Sequence, residues 1–409
     1  MRVMTKKQRS ATPTLPTEIW VLVAAAFIIA LGYGLVAPII PQFAVSFDVS
    51  MAAAGAVISI FAASRLVFAP VSGRLVDALG SRKVYLTGLL TVAIATALVA
   101  GAQAYWHILL LRGIAGIGST MFTVSAMGLI VKLAPPSGRG RASAVYGTAF
   151  LVGNVIGPVI GAVLSTLGMR APFVIYGVAV AMAAFVVWWK MPRHTDNAGL
   201  HRNTQPPLTF RVAIRDSAYR SILVSGFAHG WINFGVRVAT LPLFAAAIFH
   251  HGGAIAGLAM AAFAAGNAVM LQFSGRLADT IGRKPMVMTG LVVNAVFTGA
   301  LGFSEGYWSL LILSALAGAG SGLLNPAQQA VLADVIGRER SGGKVLANFQ
   351  MSQDLGAITG PIIIGMVAQA YGFQVGFLLC GVIGLVAAAV WSLGRESLEV
   401  NPVSTEPAS

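Results

Sequence analysis

Thirteen carboxylates, six histidines and one cysteine are all the acidic, imidazole and thiol chemistry this 409-residue chain carries. The single thiol, Cys380, excludes a disulfide framework and a thiolate metal centre, and its apolar surroundings in the sequence mark it as a small packing residue. No stretch reads G-x-x-x-x-G-K-[ST], which excludes a nucleotide-driven pump built on a phosphate loop. No metal-ligand cluster and no nucleophile with its base can be assembled, so neither enzyme chemistry nor a cofactor or metal is expected. Charge is scarce as well, at 10% of residues. A water-soluble chain so poor in charge could not cover its apolar surface.

What is present is hydrophobic: 57% of residues, with a mean hydropathy of +0.81. The formal charge of +14 raises the question of nucleic acid, but the basic residues fall singly between apolar runs and form no basic face or arm, so no nucleic-acid partner is expected. The runs fall near residues 19–43, 52–72, 84–102, 106–131, 143–166, 172–190, 219–248, 254–274, 286–303, 307–333, 345–369 and 374–394. Each is long enough to cross a hydrocarbon core of about 30 Å as a helix. The expected partner is therefore the lipid bilayer itself.

The stretch Gly73 to Lys83, GRLVDALGSRK, returns as GRLADTIGRK at Gly275 to Lys284, an offset of 202 residues (275 minus 73). Each copy follows an apolar run and carries one Asp four residues after its first Gly. Duplication at this period points to two homologous membrane halves with a site between them. The resulting fold class is an all-α polytopic membrane protein, twelve helices in two pseudo-symmetric six-helix bundles. Its divisions are a tail at 1–18, bundles at 19–190 and 219–394, a Pro206-Pro207 linker at 191–218, and a polar tail at 395–409. With both tails cytosolic, all but four of the 27 Lys and Arg lie on the cytosolic side, which fixes the orientation and suggests the inner membrane. The basic start lacks a small-residue cleavage site, so the first helix is expected to be retained.

At this point the residues resemble the major facilitator superfamily, and within it the twelve-helix drug:proton antiporter branch, over about residues 19–394. The duplicated loop is similar to the superfamily motif between the second and third helices and to its copy between the eighth and ninth. LGYGLVAPIIP (Leu31, Gly32, Pro38, Pro41) resembles the first-helix motif, and LRGIAGIG (Arg112, Gly116, Gly118) the fourth-helix arginine motif. GNVIGPVIGA (Gly153, Gly157, Pro158, Gly161) resembles the fifth-helix antiporter motif, with Ala162 where a final Gly is usual. The resemblance implies gating loops at Gly73, Asp77 and Arg82 and at Asp279 and Arg283, Asp77 closing the cytosolic side against the eleventh helix in one state. Gly73 and Gly80 are read as bracketing the turn. Gly157 with Pro158 should bend the fifth helix, and Gly356, Gly360 and Pro361 repeat that pattern in the eleventh, so both should pack where the halves meet.

The repeat also serves as an internal control. A polar residue with an apolar or neutral counterpart is not demanded by the shared fold. Trp106 pairs with Trp308 and Gly116 with Gly318, which marks them as architectural. At the offset of 202 Arg112 pairs with Ser314 and Arg65 with Asn267; Arg237 pairs with Val36 at 201 (237 minus 36) and Asp354 with Leu151 at 203 (354 minus 151). An ionised group at mid-membrane costs about 2.5–3.5 kcal/mol on insertion scales, so each is a site candidate. Asp354 and Arg65 lie at similar depths, about 14 and 12 Å at 1.5 Å per residue, and are expected to form an interdomain gate that a proton on Asp354 weakens. His229, Asn233 and Arg237, spaced by four, should form one stripe facing a cavity. Tyr33, Asn154 and Asn325 are further substrate-binding candidates, and Phe122, Trp231 and Phe234 could line an adaptable wall. His229 is a second coupling candidate.

The first helix lacks the embedded acid that many relatives of this branch carry. The expected function is export of small neutral or anionic amphiphiles by alternating access, in exchange for protons, by a monomer. A metabolite exporter and an uncoupled facilitator are the alternatives.

Overall fold

The computed structural model describes residues 15–134, 139–164, 167–191, 208–250, 252–336 and 343–398. Twelve helices in it are long and apolar enough to cross a membrane. In chain order the elements are α1 (Thr17–Val36), α2 (Ile40–Val45), α3 (Met51–Leu79), α4 (Ser81–Val99), α5 (Tyr105–Leu133), α6 (Arg139–Leu164), α7 (Ala171–Lys190), the short α8 (Phe210–Ala213), α9 (Ser217–His229), a π-helical turn at Gly230–Val236, α10 (Arg237–Ile248), α11 (Gly252–Thr280), α12 (Arg283–Ala300), α13 (Tyr307–Ile336), α14 (Gly343–Tyr371) and α15 (Phe373–Ser392). α1 and α2 form the first span, and α9 to α10 the seventh.

Three boundaries differ from the sequence reading. The first span is broken: α1 ends at Val36 and α2 starts only at Ile40. Pro38 and Pro41 explain this, since neither can donate the hydrogen bond an uninterrupted helix needs. The repeated loops are also shorter than expected. Gly73 lies inside α3 and Gly275 inside α11, both helices continuing to the end of the motif. The turn rests on one residue in each copy, Gly80 at φ +87° and Gly282 at φ +117°, left-handed backbone that favours glycine. Nothing lies within 4 Å of where a Cβ on Gly73 would stand, so no close backbone approach is made there in this conformation. Last, the seventh span is not a regular helix, because the turn at Gly230–Val236 holds an extra residue.

The two halves meet at the end away from the repeated loops. Ser59 Oγ donates to the carbonyl of Ile358 at 2.6 Å, and Gln42 Nε2 to that of Pro242 at 3.5 Å. A Cβ on Gly55 would stand 2.5 Å from the Pro361 carbonyl oxygen, and one on Gly257 2.8 Å from that of Pro158. Small residues let these backbones touch. Gly153 and Gly157, by contrast, sit against Phe27 and Leu31 of α1 in their own half, and Gly360 against Trp231. The expectation that these helices pack where the halves meet is borne out, α6 lying against α11 and α14 against α3: the carbonyls of Pro158 and Pro361 meet the other half, while Gly153, Gly157 and Gly360 pack within their own. One buried apolar cluster runs from Ile40, Phe43 and Ala54 across to Leu241, Phe244 and Phe377. Toward the loop end, Val67, Val269 and Phe273 of the interfacial helices stand exposed.

Candidate functional site

In the N-terminal half the site begins with α3 and α5. A Cβ on Gly116 of α5 would stand 2.5 Å from the Phe61 carbonyl oxygen, so the missing side chain lets α3 press its backbone into α5. One turn earlier, Arg112 lays its guanidinium over the Phe61 ring, 4.3 Å from the centroid. Arg112 is 4% exposed, and its Nε and Nη2 have no hydrogen-bond partner. Tyr33 meets the same ring at 6.2 Å between centroids, and Tyr33 and Tyr176 are the polar groups within electrostatic reach of Arg112. A guanidinium on a desolvated aromatic face gains about 2 kcal/mol, which offsets only part of its burial.

The C-terminal half repeats the scaffold with another arginine. Phe263 stands 202 residues after Phe61, and the Cβ position on Gly318, 202 after Gly116, abuts the Phe263 carbonyl oxygen. Arg237, also 4% exposed, sits over the Phe263 ring at 3.6 Å. Its Nη2 donates to Thr298 Oγ1 at 3.3 Å, while Nε and Nη1 lack partners. Ser314, the counterpart of Arg112, is fully buried with an unpartnered hydroxyl.

The polar stripe of the seventh span turns into its own bundle. Asn233 exchanges hydrogen bonds with Asn294 of α12 (3.4 and 3.2 Å) and contacts His229 Nδ1 at 3.1 Å; Asn294 also donates to the Ala317 carbonyl at 2.8 Å. Buried amides need partners, and α12 supplied one the sequence did not advertise. The residue of this turn that faces outward is Phe234, 50% exposed. Phe122 is buried against Tyr85, and Trp231 is buried as well, so neither lines an open wall. Asn154 donates to Phe150 in its own helix, and Asn325 is half-buried on α13.

Asp354, half-buried on α14, accepts from Gln350 Nε2 at 3.1 Å. Arg65 on α3 acts on it electrostatically across the interface without closing an ion pair, and Arg65 Nε has no partner. At the loop end, the side chains of Asp77 and Asp279 lie outside the described residues. Arg82 donates to the carbonyls of Trp188 (2.7 Å) and Met191 (2.9 Å), closing the end of α7. Its counterpart Lys284 does the same for α15, at Ser392 (2.9 Å) and Gly394 (2.8 Å). Both cations thus sit where helix carbonyls run out of partners. Arg283 pairs with Asp334 at 3.1 Å.

Sequence reading missed Glu396. Its carboxylate accepts from the backbone N–H of Arg283 and of Lys284, both at 3.0 Å, and so caps α12 from the tail. Next to it, Arg395 binds Asp216 through both carboxylate oxygens, at 3.0 and 2.7 Å. Partial burial alone would raise the Asp216 pKa, but the Arg395 hydrogen bond and charge and the Ala218 N–H hold it below the usual carboxylate value. Phe61 and Phe263 were missed too, although their spacing equals the loop repeat.

Two six-helix bundles that meet at one end, each with a buried arginine over a phenylalanine ring, have the architecture of a membrane transporter. The chain belongs to the Major Facilitator Superfamily, whose profile matches residues 22–252 and 222–408. Among its relatives, "Multidrug resistance protein MdtG" of Enterobacter lignolyticus is 27% identical over 382 residues, covering 90% of this chain and 89% of that one. The class G tetracycline resistance protein of Vibrio anguillarum is 27% identical over 347 residues, covering 81% and 86%. These relatives place it with the drug:proton antiporter branch. Among solved structures, a bacterial homolog of the human lysosomal transporter Spinster, inward-facing and unoccupied, superposes with a TM-score of 0.76 at 17% identity, covering 93% and 97%. The nucleoside transporter NupG gives 0.73 at 16% identity, covering 92% and 100%. At such identities the structures establish the fold alone.

Proposed function

We propose that this chain exports small neutral or anionic amphiphiles across the inner membrane by alternating access, in exchange for protons. The observation that carries the reading is that the halves touch at one end, while one to two turns from that contact toward the loop end Arg65 acts on Asp354 across the interface without pairing. With the basic loop end cytosolic, the exposed faces of the interfacial helices, at Val67, Val269 and Phe273, open toward the cytosol, as an exporter needs when it loads. Protonating Asp354 removes its attraction to Arg65 and holds the loop end open; deprotonation lets the pair close it. Asp354 suits coupling better than His229, whose imidazole is buried and bonded within its bundle. Arg112 and Arg237, unpaired with any carboxylate, disfavour cations. The names of the multidrug and tetracycline resistance relatives agree with export of drug-like compounds.

The test is accumulation of a neutral, an anionic and a cationic labelled compound in efflux-deficient bacteria expressing wild type or Asp354→Asn at matched levels. Wild type is expected to lower accumulation of the neutral or anionic compound, and Asp354→Asn to lose that effect. Export of the cation alone would contradict the charge argument. No change with any compound would replace drug efflux with a narrow metabolite substrate.

A further inference from the structure

The end at which the halves meet is built from two matched contacts that differ in one hydroxyl. Gly55 of α3 lies on the Pro361 carbonyl of α14, and Gly257 of α11 on the Pro158 carbonyl of α6. The glycines are 202 residues apart (257 minus 55) and the prolines 203 (361 minus 158), so the contacts are copies of one another. One turn from Gly55 toward the loop end, Ser59 donates across the interface to the Ile358 carbonyl at 2.6 Å, and Ser59 is 3% exposed. Its equivalent is Ala261 (261 minus 59 is 202), whose side chain has no donor to offer. The acceptor side follows from Pro361, which removes the N–H that would bond the Ala357 carbonyl and loosens the turn of α14 that holds Ile358. Ser59 also has a second acceptor, the Gly55 carbonyl of its own helix at 3.3 Å. A buried hydroxyl with such a fallback can give up its partner in the other half without being orphaned.

We propose that Ser59 is a positioning residue of the transport cycle, a hydroxyl latch that holds the end away from the loops shut on its α3–α14 side and falls back on Gly55 when the halves rock. In this structure the latch is closed. For the end away from the loops to open, α3 and α14 must part at Ser59, and the hydroxyl then keeps only the Gly55 bond. One interdomain hydrogen bond is thereby placed on the inward-facing side of the equilibrium. The matched α6–α11 contact, with Ala261 in that place, contributes nothing of the kind, so the two interfaces are unequally tied. The latch presupposes the alternating access proposed above, but its geometry does not depend on what is carried.

The experiment measures the separation of the halves at that end, in the purified full chain reconstituted in lipid without substrate. Spin labels on cysteines replacing the exposed Trp106 and Trp308, near the equivalent starts of α5 and α13, report it by double electron-electron resonance in a Cys380→Ala background. Ser59→Ala is expected to raise the ratio of long to short separations about fivefold, the equivalent of one neutral hydrogen bond. Ser59→Thr, which keeps the hydroxyl, should restore the wild-type ratio. Ala261→Ser puts a hydroxyl at the matched position, where the Val155 carbonyl is the counterpart of Ile358 (358 minus 155 is 203), and is expected to lower the ratio. An unchanged ratio in Ser59→Ala, or an equal rise in Ser59→Thr, overturns the latch. Should Ser59→Ala fail to fold, Ala261→Ser decides: a lower ratio supports the latch, and an unchanged or higher one refutes it. Unchanged ratios alongside measured export sink the latch alone, whereas the expected ratios without export of any compound sink only the reading of the cargo.

Discussion

In the N-terminal half the guanidinium over the α3 aromatic comes from the fourth span, Arg112; in the C-terminal half the one over the α11 aromatic comes from the seventh, Arg237. The position equivalent to Arg237 is the buried Val36, and the one equivalent to Arg112 is Ser314. Duplication has therefore held the frame constant, with Phe61 and Phe263 each backed onto a glycine, while the charge has moved to a neighbouring helix. The glycines and aromatics answer to packing, which both halves share. The arginines break that symmetry, each reaching its ring from a different span.

The sharpest way to break the comparison is to fill the shared notches. Gly116→Val and Gly318→Val each place a side chain on a phenylalanine carbonyl, with no flexible group to yield. Overpacking of this kind costs about 1–3 kcal/mol, and more where backbone must move. Both are expected to lower the melting temperature and the monodisperse yield, Gly318→Val the more strongly because its contact is the closer. Equal tolerance of both would mean that the notches do not set the helix spacing.

A middle-sized effect should separate the two end caps. Arg82 is buried and serves two carbonyls of α7; Lys284 serves α15 from a half-buried position. Removing a charged donor from a buried pair of acceptors costs about 1.5–3 kcal/mol, so Arg82→Ala should destabilise more than Lys284→Ala. Thermal unfolding of the two variants side by side checks this.

The smallest effect sharpens an asymmetry, the Arg395–Asp216 pair of the C-terminal half. The folded chain lowers the Asp216 pKa, so the pair's contribution is complete above the ordinary carboxylate value of about 3.9 and is lost as pH falls through the depressed one. Arg395 is 49% exposed, and solvent screens the pair. Arg395→Gln should therefore lower the melting temperature slightly at pH 7, the difference fading as the pH falls through the depressed Asp216 value. A difference that persists there would assign the effect to packing.

Much of the frame was legible because apolar length and the 202-residue repeat are properties of the chain itself. Any run of some twenty apolar residues must satisfy its backbone internally, so the twelve spans follow from composition and spacing. Helix ends were less legible: the repeated loops shrank to Gly80 and Gly282 because helical hydrogen bonding continued through residues that look like a turn. The unpaired arginines could be found by comparing the halves, since a charge with a neutral counterpart stands out in sequence. Phe61 and Phe263 could have been found the same way, but an aromatic in an apolar run carries no local signal.

The sequence by itself determined the membrane class, the two-fold repeat and which charges break it, because these depend on hydropathy and spacing along one dimension. Only the tertiary structure decided that Arg112 and Arg237 meet equivalent rings, that Asn233 turns to Asn294, and that Glu396 reaches back to cap α12. Each of those contacts joins residues from different segments of the chain. The physical reason is that a buried polar group takes whichever partner the packed helices bring near, and helix rotation and π-helical register are fixed by the whole bundle.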